Sequence, residues 1–291
     1  PPLDVLLRLN PEVEPETRSE FAVGALASKF GMSSAEILAL ASDGTLAGPG
    51  LRLRGVHVHV GSNLNDVTAF ATAGTRAAAL LARLRAVNGG RGSQLDTVDF
   101  GGGFPLPSAA APEPARFRDA LAAALSEARL GLPPRPAIEP GRYLVGAAGW
   151  LVASVLHTRV RSGRSQQVVL DAGMTELIRP ALYGSRHPVH VLRAHGGNGA
   201  GRLQTALEGP VCESTDSFGS HLLPPLRRGD LVAIGRVGAY GASFTSRYNG
   251  RPPPAEAVLR PDGSLERCDR PRMAAAAPPS PIRLRQEGDL T

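Results

Sequence analysis

Glu139-Pro140-Gly141-Arg142 sets a carboxylate, a rigid bend, a residue without a side chain and a guanidinium in a row. Proline fixes one backbone angle, and glycine lets a ligand come close to the main chain. Arginine adds a planar fork suited to phosphate or carboxylate. Upstream, Gly101-Gly102-Gly103 can turn backbone N–H groups toward an anion. His57, His59 and Ser62 form a third group. Later come Arg179 and Tyr183, then Cys212-Glu213, then Tyr240 between small residues. Taken singly, each has a plain structural reading: a solvated turn, a flexible strand exit, a core histidine, a turn-capping serine. A lone cysteine is more often an inert small hydrophobe than a reactive group. Glu213 beside it, however, is a residue that an apolar core does not tolerate unpaired.

The elements that must position these groups follow from periodicity. Residues 3–9 read as a strand. Ser33 and Glu36 have capping-box spacing and open a helix through Ala41. Residues 51–60 alternate as a strand, and Asn65 or Asp66 then caps a long Ala- and Leu-rich helix to about Val87. A short strand over 94–100 ends at the glycine triplet, a helix runs over 114–129, and a strand over 136–138 leads into Glu139. Strand and helix alternate, which favours a parallel sheet with crossover helices. All three groups of the first half stand just after strands, where a (β/α) barrel keeps its active site. An apolar run over 143–155 reads as buried. Beyond Trp150, short strands at 152–160, 167–170, 189–192, 205–207, 231–234 and 256–259 suggest an all-β region. From about Arg270 the Ala/Pro-rich and then charged end reads as a disordered tail.

Composition narrows the class. The chain has 291 residues and a formal charge of +6, enough length for two domains. Of its 32 basic residues only Lys29 is a lysine, and the arginines are scattered without interleaved aromatics. That pattern argues against a nucleic-acid face. Cys212 and Cys268 make neither a disulfide framework nor a metal-site spacing. No apolar run is long enough for a membrane span, and no signal-peptide pattern opens the chain. We expect a cytoplasmic protein without a metal. The opening directly into a strand suggests that a preceding part is missing.

Six motifs in order resemble one family. They are His57-Val-His59-Val-Gly-Ser62, Asp99-Phe-Gly-Gly-Gly103, Glu139-Pro-Gly-Arg142, the stretch from Asp171 to Tyr183, Gly209-Pro-Val-Cys-Glu-Ser214, and Gly238-Ala-Tyr-Gly241. This series, spread from Leu3 to Leu259, resembles the alanine-racemase-fold (fold type III) pyridoxal-phosphate-dependent decarboxylases, diaminopimelate decarboxylases above all. The resemblance implies the C-terminal part of a (β/α)8 barrel over residues 1–148, a β-barrel or sandwich-like domain over 149–269, and a tail over 270–291.

It further implies pyridoxal 5'-phosphate as cofactor. Gly101, Gly102, Gly103, Gly141 and Arg142 would hold the phosphate with Ser62 and Tyr240; Pro140 would shape the turn. His59 would lie against the ring and Glu139 would pair with its nitrogen. Arg142, Arg179, Tyr183, Glu213 and Tyr240 are the implied substrate contacts, and Cys212 the implied proton donor. The implied reaction is decarboxylation of meso-diaminopimelate to L-lysine, in a homodimer whose Cys212 and Glu213 reach the neighbouring subunit's site. A decarboxylase acting on a related acid in siderophore or antibiotic biosynthesis, and a truncated non-catalytic paralogue acting as a binding partner, are the alternatives. The family's Schiff-base lysine sits on an early barrel strand, upstream of every motif found here; Lys29 lies in a different segment and is not assigned to it. Two further departures are Thr215, where glycine is common, and Gly235-Arg236-Val237, where Asp-Ala is usual before the Gly-Ala-Tyr motif.

Overall fold

A computed structural model describes residues 2–17, 22–42, 50–87, 94–128, 130–161, 165–193 and 201–268. The chain divides into two compact units, Pro1–Thr245 and Ser246–Thr291. In the first, strands β1 (Leu3–Leu9), β2 (Leu51–Val58), β3 (Thr97–Asp99) and β4 (Arg135–Ala137) form one sheet in that order. Every neighbouring pair is parallel. Helices α1 (Ser34–Ser42), α2 (Thr68–Val87) and α3 (Pro114–Glu127) make the three crossovers. Strands that follow one another round the sheet, with no reversal of order, are what a (β/α) barrel requires, whereas a doubly wound sheet switches direction.

Local chemistry accounts for the boundaries. Ser33 and Glu36 form the reciprocal capping box at the start of α1: the Ser33 amide donates to Glu36 Oε2 (2.7 Å) and the Glu36 amide to Ser33 Oγ (3.2 Å). Asp66 accepts the Thr68 amide at 2.6 Å just ahead of α2. Small residues Ala69, Ala73, Ala77 and Ala78 and leucines 80, 81 and 84 give α2 its buried stripe. Beneath it Phe70, Phe104 and Phe117 meet edge to face or tilted, with centroids 4.7–5.8 Å apart.

After α4 (Gly141–Val145) and a 3-10 turn, β5 (Trp150–Arg161) opens the second sheet. It runs β7 (Val189–Arg193), β10 (Leu231–Gly235), β5, β6 (Ser165–Leu170), β8 (Leu203–Glu208), β9 (Ser217–Leu223). All its pairings are antiparallel except β6–β8. A five-residue helix, α5 (Arg179–Tyr183), lies between β6 and β7. Its core is separate from that of the parallel sheet and is built on Val155, Val168, Leu170, Leu177, Leu207 and Ile234. In the second unit, β11 (Glu256–Leu259) and β12 (Leu265–Cys268) form a hairpin, with Arg260 paired to Glu266 (Nε–Oε2 2.9 Å).

Two sequence expectations are corrected. The run over 143–155 is not buried throughout: Leu144 is 67% and Trp150 51% exposed. Its first part becomes α4, beside the edge strand β4, and among the described residues no fifth strand flanks β4. Strands β9 and β12 and helix α5 were not expected. The tail expected over 270–291 lies outside the described residues, as does the last expected residue of α3, Arg129.

Candidate active site

The loops after β2, β3 and β4 lie side by side at one end of the parallel sheet. The Leu64 amide donates to the Gly103 carbonyl (3.0 Å) and the Glu139 amide to the Gly101 carbonyl (2.9 Å). The glycine triplet makes this closeness possible. Gly101 and Gly103 have φ of 68° and 108°, values that residues with side chains rarely adopt. A Cβ on Gly101 would lie 2.4 Å from the Val58 carbonyl oxygen, and one on Gly102 would lie 2.8 Å from that of Glu139.

These bonds also decide which amides are left for a ligand. Gly101 donates to Asp99 Oδ1 (2.9 Å) and Gly102 to His59 Nδ1 (3.0 Å). Among the described residues the Gly103 amide has no partner. Because His59 Nδ1 accepts a hydrogen bond from the Gly102 amide, its neutral form carries hydrogen on Nε2. Burial, with the nearby charge of Arg8, pushes the His59 pKa down to about 4. His59 is therefore a neutral ring at physiological pH.

Glu139 projects from the third loop and is half exposed. His57 Nε2 lies 3.7 Å from its Oε1. His57, Asp99 and Glu139 bring their ligand atoms within 4.8 Å of one another, but with the carboxylate this open we assign no metal to the trio. Arg8, at the end of β1, is a charge neighbour of both Glu139 and His59. It was not singled out from the sequence, where an arginine near a strand end has no distinguishing signal.

Arg142 turns the other way. Its Nε and Nη2 donate to Ser62 Oγ at 3.3 and 3.1 Å, and its guanidinium lies 5.0 Å from the Tyr240 ring centroid. Arg179, only 7% exposed, stacks 5.4 Å from Tyr183 and 5.8 Å from Tyr240. Burial pushes both guanidinium pKa values down, and Arg142 lowers that of Arg179 further. Among the described residues neither arginine forms an ion pair. Two desolvated cations framed by aromatic faces form a site for an anion.

Tyr240 reaches these arginines because two turns interlock. The Gly238 amide donates to the Gly146 carbonyl (3.1 Å) and the Val237 amide to that of Gly149 (3.1 Å). A Cβ on Gly238 would lie 1.9 Å from the Val145 carbonyl oxygen. The arrangement holds Tyr240 in a left-handed conformation, φ 57°.

Cys212 and Glu213 stand apart, exposed on the loop between β8 and β9. Neither lines the cavity bounded by Arg142 and Arg179. The residue that anchors this loop, Asp216, does not stand out in the sequence. Asp216 is 2% exposed; it accepts the Val211 amide (2.7 Å) and the Met174 amide (2.6 Å), while its carbonyl takes the Gly209 amide (2.8 Å). An aspartate in a polar loop gives no sequence sign that it will be buried.

Held against a phosphorylated aromatic ring, the parallel-sheet loops fit. Arg142, Ser62 and the Gly103 amide offer donors to a phosphate, and Glu139 offers a carboxylate to a ring nitrogen. Lys29 is exposed, its Nζ 5.2 Å from the Phe30 ring centroid.

Comparison with known proteins identifies the family. Residues 1–146 match the family model for the pyridoxal-dependent decarboxylase, pyridoxal binding domain. A diaminopimelate decarboxylase of Deinococcus radiodurans is 38% identical over 258 residues, 87% of this chain and 61% of the relative. One from Zymomonas mobilis is 33% identical over 257 residues, 88% of this chain and 58% of the relative. A crystal structure of a Helicobacter pylori diaminopimelate decarboxylase variant complexed with L-lysine superposes with a TM-score of 0.80 at 30% identity, covering 91% of this chain and 64% of that one. The chain thus spans about three fifths of the length of the relatives it matches.

Proposed function

Because this chain belongs to the pyridoxal-dependent decarboxylases, we propose that it carries out decarboxylation of an amino acid, meso-diaminopimelate to L-lysine, as part of lysine biosynthesis. The observation that carries the reading is the pair Arg142 and Arg179. These two desolvated guanidiniums have no carboxylate of the protein's own among the described residues and share the Tyr240 face. A cofactor phosphate at Arg142 and a substrate carboxylate at Arg179 supply what they lack.

Pyridoxal phosphate, when bound, supplies the electron-accepting ring that takes up the electron pair released as a carboxylate departs as CO2. The protein's own residues divide the rest. Ser62, Gly103 and Arg142 hold the phosphate, with Gly101, Gly102 and Gly141 keeping the cradle in shape, the Gly141 amide being given to the Glu139 carbonyl (2.9 Å). Glu139 keeps a proton on the ring nitrogen, and His59 offers a neutral face. Arg179, Tyr183 and Tyr240 orient a substrate carboxylate, and Glu213 meets an ammonium group. The Cys212 thiol gives its proton to the substrate carbon and regains one from solvent. Since Cys212 and Glu213 do not line their own protomer's cavity, we assign them to the site of a second copy in a homodimer. We also propose that the parallel-sheet part to about residue 148 and the β region after it act as two domains. Among the described residues no helix is long and apolar enough to cross a membrane. Both cysteines are free, which supports a cytoplasmic setting.

The test is product analysis on the complete gene product supplied with pyridoxal phosphate. L-Lysine and CO2 are expected from meso-diaminopimelate. Release from ornithine alone would refute the substrate, and no release from any amino acid would refute the reaction.

A further inference from the structure

We propose that His57 is a positioning residue for Glu139: from the strand beneath, it sets the carboxylate against the ring nitrogen of the cofactor. The proposal deepens the decarboxylase reading and rests on it.

The strands dictate the placement. Alternate residues of a strand point to opposite faces of its sheet. Leu9, Val56, Val58, Val60, Val98 and Phe100 belong to the helix-covered core. Arg8, His57, His59 and Asp99 therefore share the other face. Parallel register sets three of them in one row: Arg8 is paired with His57, and His57 with Asp99. Asp99 is paired in turn with Ala137, two residues before Glu139. A guanidinium, an imidazole and a carboxylate on three neighbouring strands thus form a polar floor at the foot of the Glu139 loop.

The state of His57 shows what it lacks. Its side chain is 16% exposed, against 55% for that of Glu139. Its Nε2 is buried and has no hydrogen-bond partner, whereas buried polar atoms in folded proteins are nearly always satisfied. Glu139 Oε1 is 3.7 Å away, just beyond hydrogen-bond reach. Glu139 lacks the complementary restraint. Its backbone is pinned, since its amide donates to the Gly101 carbonyl and its carbonyl accepts the Gly141 amide, both at 2.9 Å. Among the described residues its carboxylate has no charged neighbour at ion-pair distance except His57. A small turn of this exposed side chain closes the gap, and each group then supplies what the other is missing. With hydrogen on Nε2, the neutral ring donates to one carboxylate oxygen and leaves the other for the ring nitrogen. An arginine in this place would pair with the carboxylate and compete with that nitrogen; an imidazole orients the carboxylate and leaves its charge in place.

The test uses the complete gene product freed of cofactor, and two probes. One is pyridoxal phosphate; the other is its analogue with carbon in place of the ring nitrogen. Their affinity ratio isolates the bond to Glu139, because the phosphate contacts are common to both. We expect pyridoxal phosphate to bind about tenfold tighter or more, as a charge-assisted bond provides. His57→Leu should reduce the ratio to about threefold or less, with affinity for the carbon analogue kept within about twofold. His57→Gln, whose amide N–H can stand in for Nε2–H, should restore most of the ratio. A histidine that only packs would, when replaced, weaken both probes alike and leave their ratio unchanged; that result would overturn the proposal. Should His57→Leu fail to fold, a crystal structure of the wild-type protein with pyridoxal phosphate decides. Nε2 is then expected about 2.7–3.2 Å from a Glu139 carboxylate oxygen, and a gap still beyond about 3.5 Å would refute the assignment. Failure to bind either probe would remove the cofactor reading and this proposal together. A normal ratio that survives His57→Leu would remove the proposal alone.

Discussion

His59 illustrates how one residue is prepared by its surroundings. The Gly102 amide occupies Nδ1, and burial holds the ring neutral with a pKa of about 4. In the unfolded chain the same ring titrates near its ordinary value, about 6.5. Between those values the unfolded state binds a proton that the folded state does not, so folding stability falls as pH falls from about 6.5 to 4. The full effect is on the order of 3 kcal/mol. Urea unfolding at pH 7 and pH 4.5 should show a drop in midpoint that is clearly smaller in His59→Gln; equal drops would contradict the assignment. Residue types were the most legible layer of the sequence. His59, Glu139, Arg142 and Tyr240 stood out because their charges and rings sit close to glycines, and Arg179 because a charge follows an apolar strand. Asp216 did not, because what distinguishes it is burial among partners distant in sequence.

Two loop constructions carry the elements of the site. The first is the interlock of the turn around Gly238 with the backbone at Val145 and Gly149. Gly238→Ala has no room for its methyl group, and we expect a loss of about 1–3 kcal/mol in stability. Thermal unfolding measures this, and an unchanged melting temperature would show that the turn yields. The second is the Asp216 clamp under the Cys212 loop. Asn in place of Asp216 keeps one acceptor oxygen where two amides are now served by two oxygens. This should cost about 1–3 kcal/mol and lower turnover in the complete gene product while cofactor affinity stays within about twofold. Joint loss of both would place Asp216 in the general fold instead. The capping box of α1 and the stripe of α2 were readable since both are local patterns. Strand β9 was not: Gly219, at φ 85°, and two polar residues interrupt its alternation.

Over the whole molecule, the arginine-rich composition resolves into a few placed charges. Most arginines are scattered, while Arg142, Arg179, Arg186 and Arg236 line one cavity that, among the described residues, no carboxylate lines. A net charge of +6 therefore gives little information by itself; the position of four charges gives much. The parallel order of β1 to β4 was legible from alternating strand and helix patterns. The exposure of the α4 region was not, since hydropathy reports how apolar a segment is and not whether another element covers it. The central claim is that the loops after β2, β3 and β4 hold a phosphate and a pyridine ring together. Fluorescence titration of the chain with pyridoxal phosphate and with pyridoxal, which lacks the phosphate, tests it most directly. Charge-assisted bonds from Arg142, with Ser62 and the Gly103 amide beside it, predict at least about tenfold tighter binding of the phosphorylated compound, with the preference lost in Arg142→Ala. Equal affinity for the two compounds, or a preference that survives Arg142→Ala, would contradict the account.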